Sequence, residues 1–542
     1  MNKKDEMSVF SKTVLNQKYA QDGESWADVA HRVVRTVFKA VNAPKSLVDQ
    51  TTQYVIDRKF IPGGRYLYAT GRPYHQVNNC LLMRAEDSRE GWADHLQRCS
   101  MGLMTGAGIG ADYSNIRAEG KPIRKTGGFA TGPCSLMQIL NEAGRFIMQG
   151  GSRRSALWAG LKWSHPDIQK FIHMKDWIPE VRAMKAKDFN FPATMDGTNI
   201  SVQLDDDFFK AFQDEDSMAE QVYWSVIERG LKTGEPWFTV DCGKNKHETL
   251  RNACTELTSG DDSDICNLGS INMARITSLE NMKAVLECAI PFLLAGTVYS
   301  DVPYAKVDMI RTKNRRLGLG LMGIHEWLLV HGKKYGIDAD LDRYLEIYAT
   351  STEVAKKFSK EWDLSPPVKT RAIAPTGTIS IISETTSGIE PLFCAAYKRR
   401  YLKGSVWNYQ YVLDPTAKRL IEQDGVNAEE IEDAYVLAED VERRLAFQAH
   451  MQKYVDHAIS STINLPEWGS ETNNKDTVQK FGKILMKYLP QLRGVTAYPN
   501  GARDGQPLNP VRWATAVKHV GQTFIETGDV CELSGHGGSC GS

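Results

Sequence analysis

Along SWADVAHRVVRTVFKAV, residues 25–41, apolar side chains return at Trp26, Val29, Val33, Val37 and Val41. Steps of three and four put them on one face of a helix. Ser25 supplies an N-cap, and Asn42-Ala43-Pro44 ends the segment. A second amphipathic pattern, VERRLAFQAHMQKYVDHAI, predicts a helix over 441–459. Short β-branched apolar runs alternate with such patterns: RAIAPTGTISII at 371–382, TINLP at 462–466 and RGVTAY at 493–498. This alternation predicts an α/β fold with parallel strands. No repeat of fixed period and no Pro/Ser-rich linker divides the middle of the chain. The longest apolar stretch, CAIPFLLAGTVY at 288–299, is broken by Pro291 and Gly296 and is short for a membrane span. The start, MNKKDEMSVFSKTVLNQ, has no apolar core of an export signal. A soluble, unexported, cytoplasmic chain is expected.

Length and charge narrow the picture. At 542 residues the chain exceeds an ordinary single core, although α/β barrels with insertions reach this size. Its 66 basic and 66 acidic residues cancel without long runs of one sign. That balance gives no footprint for nucleic acid or a membrane surface, so small bound molecules are the expected partners. Ten cysteines are scattered over the chain rather than spaced as a disulfide scaffold, and their reactivity becomes the question.

The stretch RNACTELTSGDDSDICNLGS, 251–270, alternates an amide, a thiol and a carboxylate at Asn252, Cys254 and Glu256. If 252–256 is extended, the three share one face. An amide there can hold a hydroxyl, a carboxylate can take its proton, and a thiol can act as nucleophile or hydrogen-atom donor. Taken alone, the pattern more readily fits a solvated strand or loop with one buried cysteine.

Around it stand NNCLLMRAEDS at 78–88, SDICNLGSINMARI at 263–276, RRLGLGLMGI at 315–324, RAIAPTGTISII at 371–382 and SSTINLP at 460–466. In this order and spacing the chain resembles the large catalytic chain of ribonucleotide reductases. The resemblance implies a ten-stranded α/β barrel of two five-stranded parallel halves around a central finger loop, preceded by a helical segment. The domains expected are 1–50 (helical), 51–526 (barrel with effector loops) and 527–542 (glycine-rich mobile tail). It implies that Cys254 carries a thiyl radical, that Cys80 and Cys266 reduce the substrate and are left as a disulfide, and that Glu256 and Asn252 hold the ribose hydroxyls. Asn79 joins the substrate contacts. In the tail, Cys531 and Cys540 are expected to pass electrons from a thioredoxin- or glutaredoxin-type protein. Cys531, His536 and Cys540 offer too few donors for a zinc reading, and no metal site is assigned to the side chains.

APTGTIS at 374–380 follows an apolar run, and Thr376, Gly377, Thr378 and Ser380 could cradle a phosphate or form a plain strand-to-helix turn. The resemblance favours a substrate-phosphate loop. KTGGFATG at 125–132 and QGGSRRSA at 149–156 flank a helical pattern as two glycine-rich turns. In the family they correspond to effector loops, and Asp87, Ser88, Arg117, Arg124, Arg153 and Arg154 are the expected contacts to deoxynucleoside triphosphates or ATP. GLGLMG at 318–323 fits a dinucleotide fingerprint, but an Asn-Arg-Arg run stands where a buried strand should precede it. It is read as barrel packing. Metal-radical members of the family relay through adjacent tyrosines, and no Tyr-Tyr pair occurs here. RGVTAYPNGARDGQPL at 493–508 resembles the adenosylcobalamin-dependent class. The expected protein is therefore an adenosylcobalamin-dependent reductase of ribonucleoside di- or triphosphates, acting as a homodimer without the N-terminal ATP-binding domain of some relatives. Two alternatives stay open: a large subunit served by a separate metal-radical subunit, and a non-catalytic nucleotide-binding or thiol-redox scaffold.

Overall fold

The computed structural model describes residues 7–149, 153–188, 191–403, 406–501 and 508–525. Helix α1 spans Val9–Lys18, α2 Trp26–Lys39 and α3 Lys45–Ile56. In α2 the Ser25 hydroxyl accepts the Asp28 amide while Asp28 accepts the Ser25 amide, and Val29, Val33 and Val37 are fully buried. Both the cap and the apolar face match the sequence pattern.

One unit comprises Met1–Phe393 and Glu432–Asp504. Its sheet has ten strands: β1 Phe60–Pro62, β2 Cys80–Arg84, β3 Gly108–Asp112, β4 Leu157–Lys162, β5 Thr198–Asp205, β6 Trp237–Asp241, β7 Asp264–Asn272, β8 Leu317–Met322, β9 Thr462–Leu465 and β10 Gly494–Pro499. Strands β2 to β6 run parallel in chain order. At one side β6 meets β10 antiparallel, and β10 pairs in parallel with β9. At the other side β2 meets β7 antiparallel, β7 pairs in parallel with β8, and β1 pairs antiparallel with Gly269–Ile271 of β7. Single parallel bridges join Leu319 to Arg371 and Ile373 to Ile459.

Three expectations are corrected here. The run 371–382 is not one strand: only 371–373 makes sheet-like bonds, and Ile379–Ser383 is a short helix. The 441–459 pattern is helical only over Val441–Gln452, because the His457 and Ser460 amides donate to the Arg371 and Ile373 carbonyls instead. Long-range pairing there overrides local periodicity. Pro291 and Gly296 do not break the apolar stretch. Both lie within α6, Leu279–Tyr299, a helix long and apolar enough by composition to cross a membrane but largely buried in this unit. Its Phe292 stacks edge-on against Phe38 and Phe60 and tilts against Tyr66. Truncating so buried an aromatic typically costs about 3–5 kcal/mol. Gly296 is required at its place, since a methyl there would overlap the Tyr66 hydroxyl.

The GLGLMG segment is itself β8, fully buried, in agreement with the packing reading. Gly320 lets the chain approach the Ala372 carbonyl, which an added Cβ would meet at 2.7 Å.

The other unit comprises Cys394–Ile431 and Gly505–Ser542. Its strands Ala396–Lys403 and Val406–Leu413 form an antiparallel hairpin, flanked by Leu508–Pro510 and Thr523–Ile525.

Candidate active site

Leu250–Arg251 and Thr258–Ser259 pair antiparallel, so the segment between them is a hairpin tip, as a finger loop requires, and not the extended run on which the one-face reading depends. The Thr255 amide closes a turn onto the Asn252 carbonyl, and Thr255 sits at φ +67°. The three groups are thus gathered by a turn. Cys254 is exposed at the tip, while Asn252 and Glu256 are buried at its foot.

The foot faces the thiol pair. Cys80 on β2 and Cys266 on β7 stand directly opposite each other in the antiparallel ladder, both as reduced thiols. Opposed residues in such ladders have Cα atoms about 4.5–5.5 Å apart, inside the range a disulfide needs. Asn252 ties the tip to this pair: its Nδ2 donates to Cys80 Sγ at 3.1 Å, and its Oδ1 accepts the Leu257 amide at 3.0 Å. Burial pushes the Glu256 carboxyl up to about 7, opposed by the neighbouring Asn252 amide, and its Oε2 is buried without a hydrogen-bond partner. Burial also raises the Cys266 thiol well above its ordinary value, with the Arg316 guanidinium acting against it. A carboxyl that titrates near neutrality with one oxygen unspent can exchange a proton with a bound hydroxyl.

Sequence reasoning missed what holds this hairpin. Its stem lies against β3, where a side chain on Gly110 would overlap the Arg251 carbonyl. Arg251, fully buried, donates to Asp241 at 2.6 Å, and Arg493 reaches the same carboxylate at 2.9 Å. Glu248 accepts Thr258 Oγ1 at 2.9 Å and pairs with Lys369, while Asp264 accepts Ser259 Oγ at 2.7 Å and Arg316 Nε at 2.8 Å. Burial, with Arg493 adding, pushes the Lys369 ammonium down to about 8. The His457 imidazole takes the Thr258 amide on Nδ1 and is held neutral by burial among these cations. The signal available in the sequence was charge in runs that otherwise read as strand.

Asn79 precedes Cys80, and its Oδ1 is buried without a partner close to Gly63. In the 374–380 loop the residues divide. The Thr376 hydroxyl accepts the Gly388 amide at 3.0 Å, and Ser380 Oγ lies 2.9 Å from Ser387 Oγ, so both brace the loop. Gly377 is exposed with open space around it, and Thr378 is half-buried. Thr376 adopts φ +53°, a conformation that costs a branched residue about 1 kcal/mol or more.

Of the expected effector contacts, Asp87 and Arg117 form an ion pair at 2.7 Å, and Ser88 caps helix α4, Arg89–Thr105, by accepting the Gly91 amide at 2.8 Å. Arg124 is exposed in the loop before α5, Pro133–Phe146. Arg153 and Arg154 form a short strand paired with Met148–Gln149. Cys531 and Cys540 lie outside the described residues.

The sequence matches known proteins over most of its length. The family described as "Ribonucleotide reductase, barrel domain" matches residues 78–221, 215–362 and 369–491. A vitamin B12-dependent ribonucleoside-diphosphate reductase of Mycobacterium tuberculosis is 24% identical, over 93% of this chain and 81% of its own. One of the same name from Thermoplasma acidophilum is 25% identical over 83% of this chain and 64% of its own. A putative adenosylcobalamin-dependent ribonucleoside-triphosphate reductase of Mycobacterium phage D29 is 27% identical over 79% of this chain and 71% of its own. With the matched segments covering most of the sequence and enclosing the finger, the opposed thiols and the 374–380 loop, the chain belongs to the ribonucleotide reductase family.

Proposed function

We propose that this chain reduces ribonucleotides to 2'-deoxyribonucleotides by thiyl-radical chemistry initiated with adenosylcobalamin. The observation that carries the reading is the Cys80–Cys266 pair in cross-strand register, tied through Asn252 to the hairpin that bears Cys254 and Glu256. As a thiyl, Cys254 takes the hydrogen atom from C3' of the ribose and returns it at the end. Glu256 accepts the proton of the 3'-hydroxyl, and the 2'-hydroxyl leaves as water. Cys80 and Cys266 supply two electrons and two protons and close as a disulfide, so one ribonucleotide and two thiols become one deoxyribonucleotide, water and one disulfide. Asn252 and Asn79 orient the ribose, and Gly377 and Thr378 are the open positions of the phosphate loop, held in shape by Thr376 and Ser380.

The cofactor is supported by the named relatives and by one feature of the chain. The stretch 493–508 carries the cofactor-class resemblance, and its first residue meets the finger stem, with Arg251 Nη2 donating to the Arg493 carbonyl at 3.2 Å. An exposed Cys254 at the tip of this hairpin suits initiation from a group bound outside the buried foot. When bound, adenosylcobalamin supplies the one-electron initiation by cleavage of its cobalt–carbon bond.

The finer architecture belongs to the same reading: residues 51–526 form a closed barrel of two five-stranded parallel halves, the 371–373 and 459 bridges completing the second half, with 527–542 as redox tail. Deoxynucleoside triphosphates or ATP bind at Asp87, Ser88, Arg117, Arg124, Arg153 and Arg154. Exposed Ile139 and Phe146 on α5 and Met104 on α4 suit a homodimer contact beside that site. A thioredoxin- or glutaredoxin-type protein serves Cys531 and Cys540.

The test is direct. Purified protein with a ribonucleoside di- or triphosphate, a dithiol and adenosylcobalamin should form deoxyribonucleotide without a second protein chain, and Cys254→Ser should abolish turnover while nucleotide binding persists. Turnover that requires an added metal-radical subunit, or that survives in Cys254→Ser, refutes the reading.

A further inference from the structure

The 374–388 segment does not stand by itself. Helix α1 runs along it and is fastened at both ends. At one end the Ser8 amide donates to Glu384 Oε1 at 2.6 Å, and the Ser11 hydroxyl donates to the Ile381 carbonyl at 2.8 Å. Arg58 reaches the other oxygen of Glu384 at 3.4 Å. At the other end Tyr19, which closes α1 and is only 7% exposed, donates its hydroxyl to Thr378 Oγ1 at 2.7 Å. The mechanism above gives neither α1 nor Tyr19 a part.

The direction of that bond matters. A hydroxyl has one proton and two lone pairs. Because Tyr19 donates, one lone pair of Thr378 is occupied and its own proton is turned away from the tyrosine. Accepting a bond also polarises a hydroxyl as a donor. The residues on either side then decide where the proton can go: Gly377 is open, whereas Thr376 and Ser380 spend their hydroxyls inside the loop. Gly63 and Gly64 keep the approach clear. A Cβ on Gly64 would stand 2.9 Å from the Tyr19 hydroxyl, and one on Gly63 would stand 3.1 Å from Asn79 Oδ1. The tyrosine therefore lies on the edge that leads back to Asn79 and Cys80.

We infer that Tyr19 is a positioning residue for the substrate phosphates: its hydroxyl orients Thr378 so that the threonine donates to a phosphate oxygen of the bound nucleotide. This rests on the reading of 374–380 as the substrate-phosphate loop. Removing the tyrosine oxygen leaves the ring packed but frees Thr378 to turn its proton elsewhere.

The experiment uses the full chain with CDP, CTP and cytidine as probes, measuring binding and, with the accepted nucleotide, steady-state turnover. Tyr19→Phe should raise KM and Kd for the phosphate-bearing ligand about fivefold to tenfold, leave kcat within about twofold by the same hydrogen-bond arithmetic, and leave cytidine binding unchanged. Gly64→Ala, which pushes on the same hydroxyl, should copy that split. In a Thr378→Ala background the Tyr19→Phe effect should vanish, as a double-mutant cycle requires of a relay. If Thr378→Ala weakens the nucleotide while Tyr19→Phe does not, the inference fails and the loop reading stands. If neither weakens it, the loop reading fails and takes the inference with it. Equal loss for nucleotide and cytidine, or a fall in melting temperature matching the loss of affinity, would make Tyr19 a general brace and overturn the proposal.

Discussion

Glu256 shows how far one side chain's surroundings set its chemistry. An ordinary glutamate titrates near 4.5, and burial holds this one near 7. Between those values the folded state keeps a proton that the unfolded state has lost, so stability falls as pH rises through that window. At about 1.4 kcal/mol per unit the loss is ~3 kcal/mol. Glu256→Gln should therefore gain stability relative to the native chain at pH 8 and lose the slope between pH 4.5 and 7, read from denaturant midpoints. On the proposed mechanism activity runs the opposite way, because the base is the carboxylate. The native kcat/KM should climb through a limb near pH 7, and Glu256→Gln should lose at least tenfold and flatten it. An unchanged limb in the variant would assign it to another group. Glu256 was legible in the sequence as a candidate, through N-x-C-x-E and the family resemblance that the surrounding runs carry. Its pKa was not, because that depends on burial by distant segments such as the one bearing Ala458, whose amide donates to the Glu256 carbonyl.

The hairpin shows the same division at the level of elements. Alternation along 252–256 puts three groups on one face only if the segment is extended, and a turn brings them together instead. Local pattern gives period two for both, and what decides is the pairing of Arg251 with Thr258 and of Leu250 with Ser259, which no short window contains. The helix of 441–452 and the strands β9 and β10 were readable because their apolar periods answer to the adjacent core. Residues 371–382 were not, because their backbone bonds go to Leu319 and Ile459. Gly110 is the sharpest case. In GIGAD it looks like a weak strand residue, yet it is the point where the finger stem passes β3. Gly110→Ala should keep the fold's circular dichroism while displacing the stem, lowering kcat at least tenfold with smaller change in KM. Misplacement of reacting groups by about 1 Å commonly costs that much or more. Full activity in this variant would show that the stem tolerates the shift.

For the molecule as a whole, the proposed reaction leaves a disulfide beneath the finger, and on that reading an external reductant needs a carrier to reach it. Cys531→Ser and Cys540→Ser should each complete the first turnover after pre-reduction, then stop when a thioredoxin-type protein is the only reductant. A small dithiol that enters the barrel should restore multiple turnover. Loss of the first turnover in either variant would give these cysteines a role other than relay. Fully buried Cys266 and Cys80 at 7% exposure suit that proposal of a separate carrier.

The register of Cys80 opposite Cys266 has a mechanical side as well. These two residues sit on β2 and β7, where one parallel set of strands meets the other across an antiparallel seam. Oxidation therefore rivets the two sets together and ties off a loop running from residue 80 to residue 266. By chain-entropy arithmetic such a staple is worth about 5 kcal/mol against unfolding. The spent form of the protein should melt several degrees above the reduced form, and the gap should vanish in Cys80→Ser. Heat resistance would then serve as a gauge of how many molecules in a sample have fired and await recharging.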